Sequence, residues 1–261
     1  MLTALTRAVS PSLAACELTH LSRQPIDVDR ASGQHAAYEA ALQRLGAQVV
    51  RAAPAPDLPD AVFIEDTAVV LDEVAVLTRP GATPRRKEIS GVAAALQAYR
   101  PLLRLDPPAT LDGGDVLRLG RTLYVGFSSR SNPAGVAQLR ELAGHYGYRV
   151  IPAPVERCLH LKSAVTAIGE HAVLLNPEWV TPALFPGLEI LEVDPGEPGS
   201  ANALWLDGTV IYPDHFPRTA QRLVQRGLRV LAVPCDELAK AEGGVTCCSL
   251  LLHERASTGA G

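Results

Sequence analysis

Five places in the chain carry polar side chains that could do chemistry together, and they recur at a nearly constant spacing of 42 to 48 residues. In chain order they are Glu65 with Asp66, Asp112 with Asp115, His160, Asn202 and Cys247. A cysteine and a histidine that are distant in sequence but adjacent in a fold can act as nucleophile and general base. Carboxylates beside them indicate a cationic ligand. The pattern therefore predicts nucleophilic catalysis on a cationic substrate.

These positions share one place in a repeat of strand, strand, helix and strand. Paired β-rich runs such as DTAVVLDEVAVLTRP and NALWLDGTVIYPD precede helix-like stretches, and a short third strand closes each unit. The helix-like stretches are RRKEISGVAAALQAY, NPAGVAQLRELAGHYG, NPEWVTPALFPG and FPRTAQRLVQRG. The final run, CCSLLLH, lacks a helix and a third strand, and the N-terminus supplies both in DVDRASGQHAAYEAALQRLG and AQVVRAAP. The sequence therefore contains five units.

A repeat of this size predicts either a solenoid or a closed ring. The completion of one unit by the two chain ends favours the closed ring, in which equivalent positions of the five units converge on the axis. The alternative is an open mixed α/β sheet. Convergence on the axis would gather the carboxylates, His160 and Cys247 around one cavity.

Composition narrows the class of protein. Of the 261 residues, 47% are hydrophobic and the formal net charge is −4, so no basic surface for nucleic acid is indicated. No apolar run approaches the roughly 20 residues of a membrane span, and the N-terminus lacks the pattern of a signal peptide. The five cysteines are an odd, scattered set without C-x-x-C spacing, which argues against a disulfide framework or a structural zinc site. We expect a cytoplasmic protein without nucleic-acid or membrane partners.

Two cysteines stand side by side in the stretch GGVTCCSLLLH. If a strand begins here, alternation turns Cys247 and Cys248 to opposite faces. Cys247 shares the repeat phase with His160 and is the better candidate for a nucleophile. Cys248 is expected in the core, the usual place of a free cysteine. A zinc site built from Cys247, His160 and carboxylates matches no standard ligand spacing, so no metal is expected.

Four charged segments could complete a site. LPDAVFIEDTAVV carries Asp60, Glu65 and Asp66 ahead of a strand, and the last two would point opposite ways in an extended chain. TLDGGDVL indicates backbone packed tightly beside an aimed carboxylate. TRPGATPRRKEIS and FSSRSNPAG contain Arg85 and Arg130, which could bind a carboxylate. Solvent-exposed turns and loops are the competing interpretation for all four.

With these residues assembled, the chain resembles the dimethylarginine dimethylaminohydrolases of the guanidino-modifying superfamily. Six stretches carry the resemblance in order: LPDAVFIEDTAVV, TRPGATPRRKE, TLDGGDVL, YVGFSSRSNPAG, LHLKS and TCCSLLL. The resemblance implies an α/β fold, a five-bladed α/β-propeller of pseudo-fivefold strand–strand–helix–strand repeats around a central active-site channel. We therefore expect residues 1–254 to form a single α/β-propeller domain and residues 255–261 to form a disordered tail.

The resemblance also implies a role for each candidate at the reacting end of the substrate. Cys247 would be the nucleophile, and His160 the general acid and base. Asp112 and Asp66 would hold the guanidinium group, and Glu65 would belong to the same substrate-binding set. Some members of the family carry glutamate where this chain has Asp112, a difference that should alter reach but not role.

The remaining implied contacts concern the amino-acid end of the substrate. Asp60 would bind its α-amino group, and Arg85 and Arg130 would bind its carboxylate. Leu18, in the stretch ELTH, would lie on a mobile lid. The main-chain oxygen near Ala241 would also meet the substrate.

One departure from a sister family bears on the substrate. Arginine deiminases carry an acidic residue two positions after the catalytic histidine, where this chain has Lys162. A site without that carboxylate makes no hydrogen-bond demand on a methylated nitrogen, which favours methylated arginine over free arginine.

The implied reaction is hydrolysis of asymmetric dimethylarginine or monomethylarginine to citrulline and dimethylamine or methylamine. It would pass through a covalent thiouronium on Cys247 and need no cofactor. An arginine deiminase or other amidino hydrolase on the same scaffold, and a non-catalytic binder of cationic amino acids, stay open as alternatives. The sequence also leaves open whether the protein is a monomer or a homodimer.

Overall fold

The computed structural model describes residues 1–254, and the tail predicted at 255–261 lies outside the described residues. Fifteen strands form five three-stranded sheets in this part of the chain, which we call blades I to V. In every blade the first and middle strands are antiparallel, and the middle and third strands are parallel. A parallel pair cannot be joined by a tight turn, so each blade needs a crossover segment between its middle and third strands.

The strands follow the predicted repeat closely. Blade I consists of Ala68–Val70, Ala75–Leu77 and Leu102–Arg104. Blade II consists of Val116–Leu119, Thr122–Phe127 and Arg149–Pro154. Blade III consists of Val165–Ala167, Ala172–Leu175 and Glu189–Glu192, and blade IV of Leu204–Leu206, Thr209–Pro213 and Arg229–Val233. Blade V consists of Leu250–His253, Leu2–Thr6 and Ala47–Arg51.

Helices supply most of the crossovers. The α-helices Val28–Arg44, Ile89–Leu96, Pro133–Gly144 and Pro217–Gln225 serve blades V, I, II and IV. Two short α-helices are Leu161–Ala164 and Asp236–Ala239, and the 3₁₀ helices are Leu13–Ala15, Ile64–Thr67, Thr83–Glu88, Gly113–Asp115, Pro182–Leu184 and Thr246–Cys248. Local sequence sets where helices start, because the side chains of Asp27 and Asn132 accept hydrogen bonds from backbone N–H groups of the first turn.

Two details of the repeat differ from the sequence-based expectation. The N-terminus gives blade V its middle strand, Leu2–Thr6, in addition to the expected helix and third strand. This strand is five residues long and is followed by a turn-rich loop. The strand that pairs with it in the repeat is therefore not its neighbour in sequence. The stretch NPEWVTPALFPG forms only the 3₁₀ helix Pro182–Leu184, because Pro182 and Pro186 remove the donors that a longer helix needs.

The apolar core explains why the ring closes. Within residues 1–254, buried apolar side chains form five clusters, and each cluster fills the space between two neighbouring blades. Two of these clusters contain strands of blade V, one shared with blade IV and one with blade I. The five-bladed α/β-propeller is therefore confirmed, and the open-sheet alternative is wrong. None of the helices within residues 1–254 is long and apolar enough to cross a membrane.

Candidate active site

Short helical turns present the candidate residues at the heads of the blades. The 3₁₀ helix before blade I contains Asp66, and the one before blade V contains Cys247. Asp112 and His160 are the N-cap residues of the turns before blades II and III. Each turn ends an inward loop just ahead of a first strand. The shared repeat phase therefore brings these side chains to the axis of the ring.

The expected alternation along extended chain is wrong at both doubled positions. Glu65 and Asp66 lie in one 3₁₀ helix, and Cys247 and Cys248 lie in another. Successive residues of a 3₁₀ helix are about 120° apart, so the members of each pair still point in different directions. Cys248 is buried in the core between blades IV and V, as the sequence predicted.

A small buried cavity on the axis gathers most of the predicted site residues. Its lining includes Asp60, Asp66, Arg85, Arg130, His160, Ala241 and Cys247. Each of these residues is at most 9% exposed, so charges here are weakly screened by water. Asp112 contacts His160 from outside the lining, and Glu65 and Leu18 also lie outside it. The substrate contacts of these three residues stay predictions.

His160 lies between two carboxylates. Its Nε2 is 3.0 Å from Oδ2 of Asp112, and its Nδ1 is 3.8 Å from Oδ1 of Asp66. Gly114 makes this approach possible, because a Cβ at that position would lie 2.6 Å from Nδ1 of His160. Burial lowers the pKa of His160, but Asp66, Asp112 and Asp115 outweigh burial and raise it to about 9. The imidazole therefore holds its proton at neutral pH.

Asp66 is the central anion of the cavity. Burial raises its pKa, but His160 and Arg85 outweigh burial and lower it to about 2. Nη1 of Arg85 lies 2.5 Å from Oδ2 of Asp66, and the backbone N–H of Gly114 donates to Oδ1 at 2.9 Å. Asp66 is therefore ionised and fixed from two sides.

The remaining donors of Arg85 bind other groups of the protein. They donate to both carboxylate oxygens of Glu88 and to the carbonyl oxygens of Asp60 and Phe63. Arg85 is only 4% exposed. The predicted role of Arg85 in binding a substrate carboxylate stays a prediction, and its present contacts make it a support for Asp66.

Cys247 has a weaker set of contacts than His160. Its Sγ accepts a hydrogen bond from the backbone N–H of Gly244 at 3.3 Å. Burial raises the pKa of the Cys247 thiol above its ordinary value, and the carboxylates of Glu65 and Asp66 raise it further. Gly243 lies against the ring of Phe63, where a Cβ would be 2.1 Å from a ring carbon, so a side chain does not fit at this position.

Glu65 belongs to a polar network on the other side of Asp66. One oxygen accepts from Nζ of Lys162 at 2.5 Å and the other from Oγ1 of Thr246 at 2.9 Å. Asn202 donates to the same Thr246 hydroxyl at 2.9 Å. The residue that replaces the second acidic clamp, Lys162, is therefore ion-paired away from the small cavity.

Asp60 and Arg130 line the cavity and bind the loop that contains Leu18. The carboxylate of Asp60 accepts from the backbone N–H of Glu17 at 3.1 Å, and burial raises its pKa to about 6. Arg130 donates to Oγ1 of Thr19 at 2.9 Å. Leu18 lies on the loop between these two contacts, packed against the core between blades IV and V. Its mobility stays a prediction.

Sequence reasoning missed four residues that line the cavity: Glu17, Phe63, Leu159 and Glu242. Glu242 holds the loop that contains Leu18, because its carboxylate accepts backbone N–H groups of Thr19, His20 and Leu21 at 2.5 to 2.9 Å. These partners are 221 to 223 residues away in sequence, and no local pattern marks the connection. Leu159 could have been predicted to line the cavity, because it directly precedes His160 in the sequence.

One cluster within residues 1–254 has the spacing of metal ligands. Ligand atoms of Asp66, Asp112 and His160 all lie within 4.8 Å of one another. These groups already satisfy each other, since Arg85 pairs with Asp66 and His160 bonds Asp112. The ion pairs and the hydrogen bond among these groups therefore explain why the three side chains lie so close together.

Comparison with known proteins identifies related sequences over nearly the whole chain. A family model described as N,N dimethylarginine dimethylhydrolase, eukaryotic, matches residues 19–183. A Streptomyces coelicolor protein named N(G),N(G)-dimethylarginine dimethylaminohydrolase is 42% identical over 253 residues, covering 96% of this chain and 97% of its own. A Pseudomonas aeruginosa protein of the same name is 32% identical over 234 residues, covering 89% and 91%.

Solved structures agree with this relationship. A Pseudomonas aeruginosa DDAH, a cysteine-to-serine mutant complexed with citrulline, superposes with a TM-score of 0.92 and 31% identity, covering 96% of this chain and 98% of its own. The N-terminal domain of a cyanobacterial arginine dihydrolase superposes with a TM-score of 0.83 over 97% of this chain and 98% of its own. At 20% identity, that second likeness speaks for the fold alone.

Proposed function

The chain belongs to the dimethylarginine dimethylaminohydrolase family, and we propose that it hydrolyses Nω-methylated arginine to citrulline and dimethylamine or methylamine. The observation that carries this proposal is the buried cavity, where the Cys247 thiol and the His160 imidazole face the carboxylates of Asp60 and Asp66. This set can bind a cation and provides a nucleophile and a proton donor. We also propose that residues 1–254 act as one domain, because blades I, II, III and V all contribute to the site.

The charges of the lining residues determine which group of the substrate each of them binds. Asp66, ionised and held by Arg85, is assigned to the guanidinium group of the substrate. Asp60 is assigned to the α-amino group, and Arg130 to the carboxylate. Because these partners are fixed before binding, little orientational freedom is left to lose in the reaction step.

Substrate binding activates the nucleophile in this proposal. Burial and two carboxylates keep the Cys247 thiol protonated at neutral pH. A guanidinium cation bound beside Asp66 neutralises that carboxylate and adds a positive charge near the sulfur, and both effects lower the thiol pKa. The thiol then loses its proton to solvent, and the resulting thiolate attacks Cζ of the substrate and forms a tetrahedral intermediate.

His160 completes both halves of the reaction. Its protonated ring donates a proton to the methylated nitrogen, the Cζ–N bond breaks, and dimethylamine or methylamine leaves. A thiouronium remains on Cys247. Neutral His160 then removes a proton from water, and the resulting hydroxide adds to Cζ. The C–S bond breaks, and the added hydroxyl gives its proton to the departing thiolate, which forms citrulline and restores the Cys247 thiol. Asp112, bonded to Nε2, is assigned to orienting the ring and to stabilising its charged form.

The choice of substrate follows from Lys162. Its ammonium group pairs with Glu65, so neither residue is assigned to the methylated nitrogen. A second carboxylate on that nitrogen would favour free N–H groups and disfavour methyl groups. Methylated arginine is therefore the proposed substrate, ahead of free arginine.

The purified protein can be tested with asymmetric dimethylarginine and, separately, with arginine. We expect citrulline and dimethylamine in equal amounts from the first substrate and a lower rate from the second. Because the pKa of His160 is about 9, kcat should fall as pH rises through that value. Chromatographic measurement of citrulline and dimethylamine over a pH series provides all three results.

Two serine variants provide the matched control. Cys247→Ser should form no measurable citrulline, whereas Cys248→Ser should keep the parent rate within about threefold, since substitutions away from the reacting atoms rarely remove transition-state contacts. A parent protein that makes no citrulline contradicts the proposed reaction. Loss of activity in Cys248→Ser with retention in Cys247→Ser would show that the wrong thiol was assigned.

A further inference from the structure

Asp115 is a fully buried carboxylate at the same place in the repeat as the site residues, and the mechanism above gives it no role. It ends the 3₁₀ helix Gly113–Asp115 before blade II. Its side chain lies behind His160 and does not line the cavity. A buried carboxylate is costly unless its oxygens accept hydrogen bonds, so its partners indicate what it does.

Three groups from two segments of the site donate to this one carboxylate. Oδ1 accepts the backbone N–H of Leu161 at 2.9 Å, which fixes the residue directly after His160. Oδ2 accepts from the hydroxyl of Ser131 at 2.6 Å and from the hydroxyl of Ser128 at 2.5 Å. Gly126 leaves the space for this arrangement, because a Cβ there would lie 2.6 Å from Oδ1 of Asp115.

Each serine hydroxyl passes the connection on to a different site residue. Oγ of Ser131 accepts the backbone N–H of Asp112 at 3.1 Å. Oγ of Ser128 accepts the backbone N–H of Arg130 at 3.0 Å. A single carboxylate is thus connected to the acid–base residue, to its orienting aspartate and to the arginine assigned to the substrate carboxylate.

The negative charge of Asp115 affects His160, the residue whose position its hydrogen bond to Leu161 also fixes. The carboxylate is one of the three that raise the pKa of His160. Burial raises the pKa of Asp115 itself, while His160, the two serine hydroxyls and the Leu161 N–H lower it in part. Removing the charge and keeping the shape should therefore change the titration of His160.

We propose that Asp115 is a positioning residue for the hydrolytic reaction, which sets the place of His160 directly, of Asp112 through Ser131 and of Arg130 through Ser128. This inference rests on the proposed function for its kinetic consequences. The hydrogen bonds of Asp115 do not depend on the proposed function. The two serine arms lead to different halves of the substrate, so they should have separable effects.

The central test is Asp115→Asn, with Asp72→Asn as the matched control. Asp72 is a half-exposed carboxylate paired with Arg118 and Arg121 away from the cavity. We expect Asp115→Asn to lower kcat by about 10- to 100-fold, the range seen when a group that orients a reactive side chain is removed. The pKa of His160, followed by histidine NMR, should fall in this variant and stay at the parent value in Asp72→Asn.

The two serine arms are tested with single-hydroxyl deletions. Ser131→Ala should lower kcat by about tenfold with KM nearly unchanged, because it frees Asp112 behind His160. Ser128→Ala should raise KM by about three- to tenfold with kcat nearly unchanged, because it frees Arg130. A purely structural role for these serines would lower melting temperature without this division between kcat and KM.

The outcomes separate this inference from the proposed function. A parent protein without citrulline formation overturns the reaction, and the NMR titration of His160 then still decides whether Asp115 acts on it. An unchanged His160 pKa in a folded Asp115→Asn protein would overturn the positioning role. So would equal kinetic effects of Ser128→Ala and Ser131→Ala. If Asp115→Asn does not fold, the two serine variants carry the decision.

Discussion

His160 and Cys247 stand at equivalent points of blades III and V, yet the same acidic surroundings affect them in opposite ways. For His160 the protonated form is the charged one, and nearby carboxylates stabilise it against burial. For Cys247 the protonated form is the neutral one, and both burial and carboxylates favour it. In the proposed reaction, the proton donor is therefore prepared in advance, whereas the nucleophile depends on a positive charge from elsewhere.

The contacts around the two residues differ in the same sense. His160 is held by Asp112 at 3.0 Å and faces Asp66 at 3.8 Å, and the next residue is fixed by Asp115. Cys247 accepts one backbone N–H, from Gly244 at 3.3 Å. A group that must hold a proton needs a fixed geometry. A group that must lose its proton when the substrate binds needs surroundings whose charge the substrate itself can change.

The largest effect is expected from Asp66→Asn, because this carboxylate acts on both residues. Activity should fall by at least about 100-fold, the usual cost of removing one preorganised charge-stabilising group. The pKa of His160 should fall, and so should the pKa of Cys247, seen as faster alkylation by neutral iodoacetamide below pH 9. An unchanged alkylation profile would break the comparison. Asp106→Asn, at an exposed aspartate, should change none of these quantities.

A smaller effect is expected from the charge of an alkylating reagent. If a cation activates Cys247, cationic 2-chloroacetamidine should inactivate the protein faster than neutral iodoacetamide at pH 7. After division by the same ratio for glutathione, the preference should be about tenfold or more, since an adjacent opposite charge shifts a pKa by 1–3 units. A ratio equal to that of glutathione would mean that Cys247 is not activated by cations. Cys248→Ser should keep the full preference.

The smallest effect is expected from Glu242→Gln. This substitution should leave the pKa values of His160 and Cys247 unchanged, so it separates loop binding from the titration of the two residues. A neutral amide is a weaker acceptor for the three backbone N–H groups of Thr19, His20 and Leu21. KM should rise by about three- to tenfold, in line with the loss of a charge-assisted hydrogen bond, while kcat stays near the parent value. The exposed Glu170→Gln is the control. A changed pH profile of kcat would contradict the separation.

The repeat phase alone predicted much of the site. Asp66, Asp112, His160 and Cys247 were identified from spacing, because each follows the same inward loop in its unit and the ring brings equivalent points to one axis. Cys248 was placed in the core for the same reason. These predictions needed only that five similar units close on themselves.

The errors came from residues whose partners are remote or whose backbone is not extended. The strand Leu2–Thr6 was missed because both of its neighbours in the sheet are supplied by other parts of the chain. The strand alternation expected at Cys247 failed because the chain forms a 3₁₀ turn there.

The sequence by itself determined the fold class, the five-unit repeat, the family and the identity of the cysteine and histidine at the axis. These depend on local periodicity and on short motifs, which the chain carries whether or not it is folded. The tertiary structure alone decided which oxygen bonds which donor: that Lys162 pairs with Glu65, that Glu242 holds the loop at Thr19, and that Asp115 connects three segments. Hydrogen bonds and ion pairs depend on distances of a few ångströms between remote residues, and only the closed ring sets those distances.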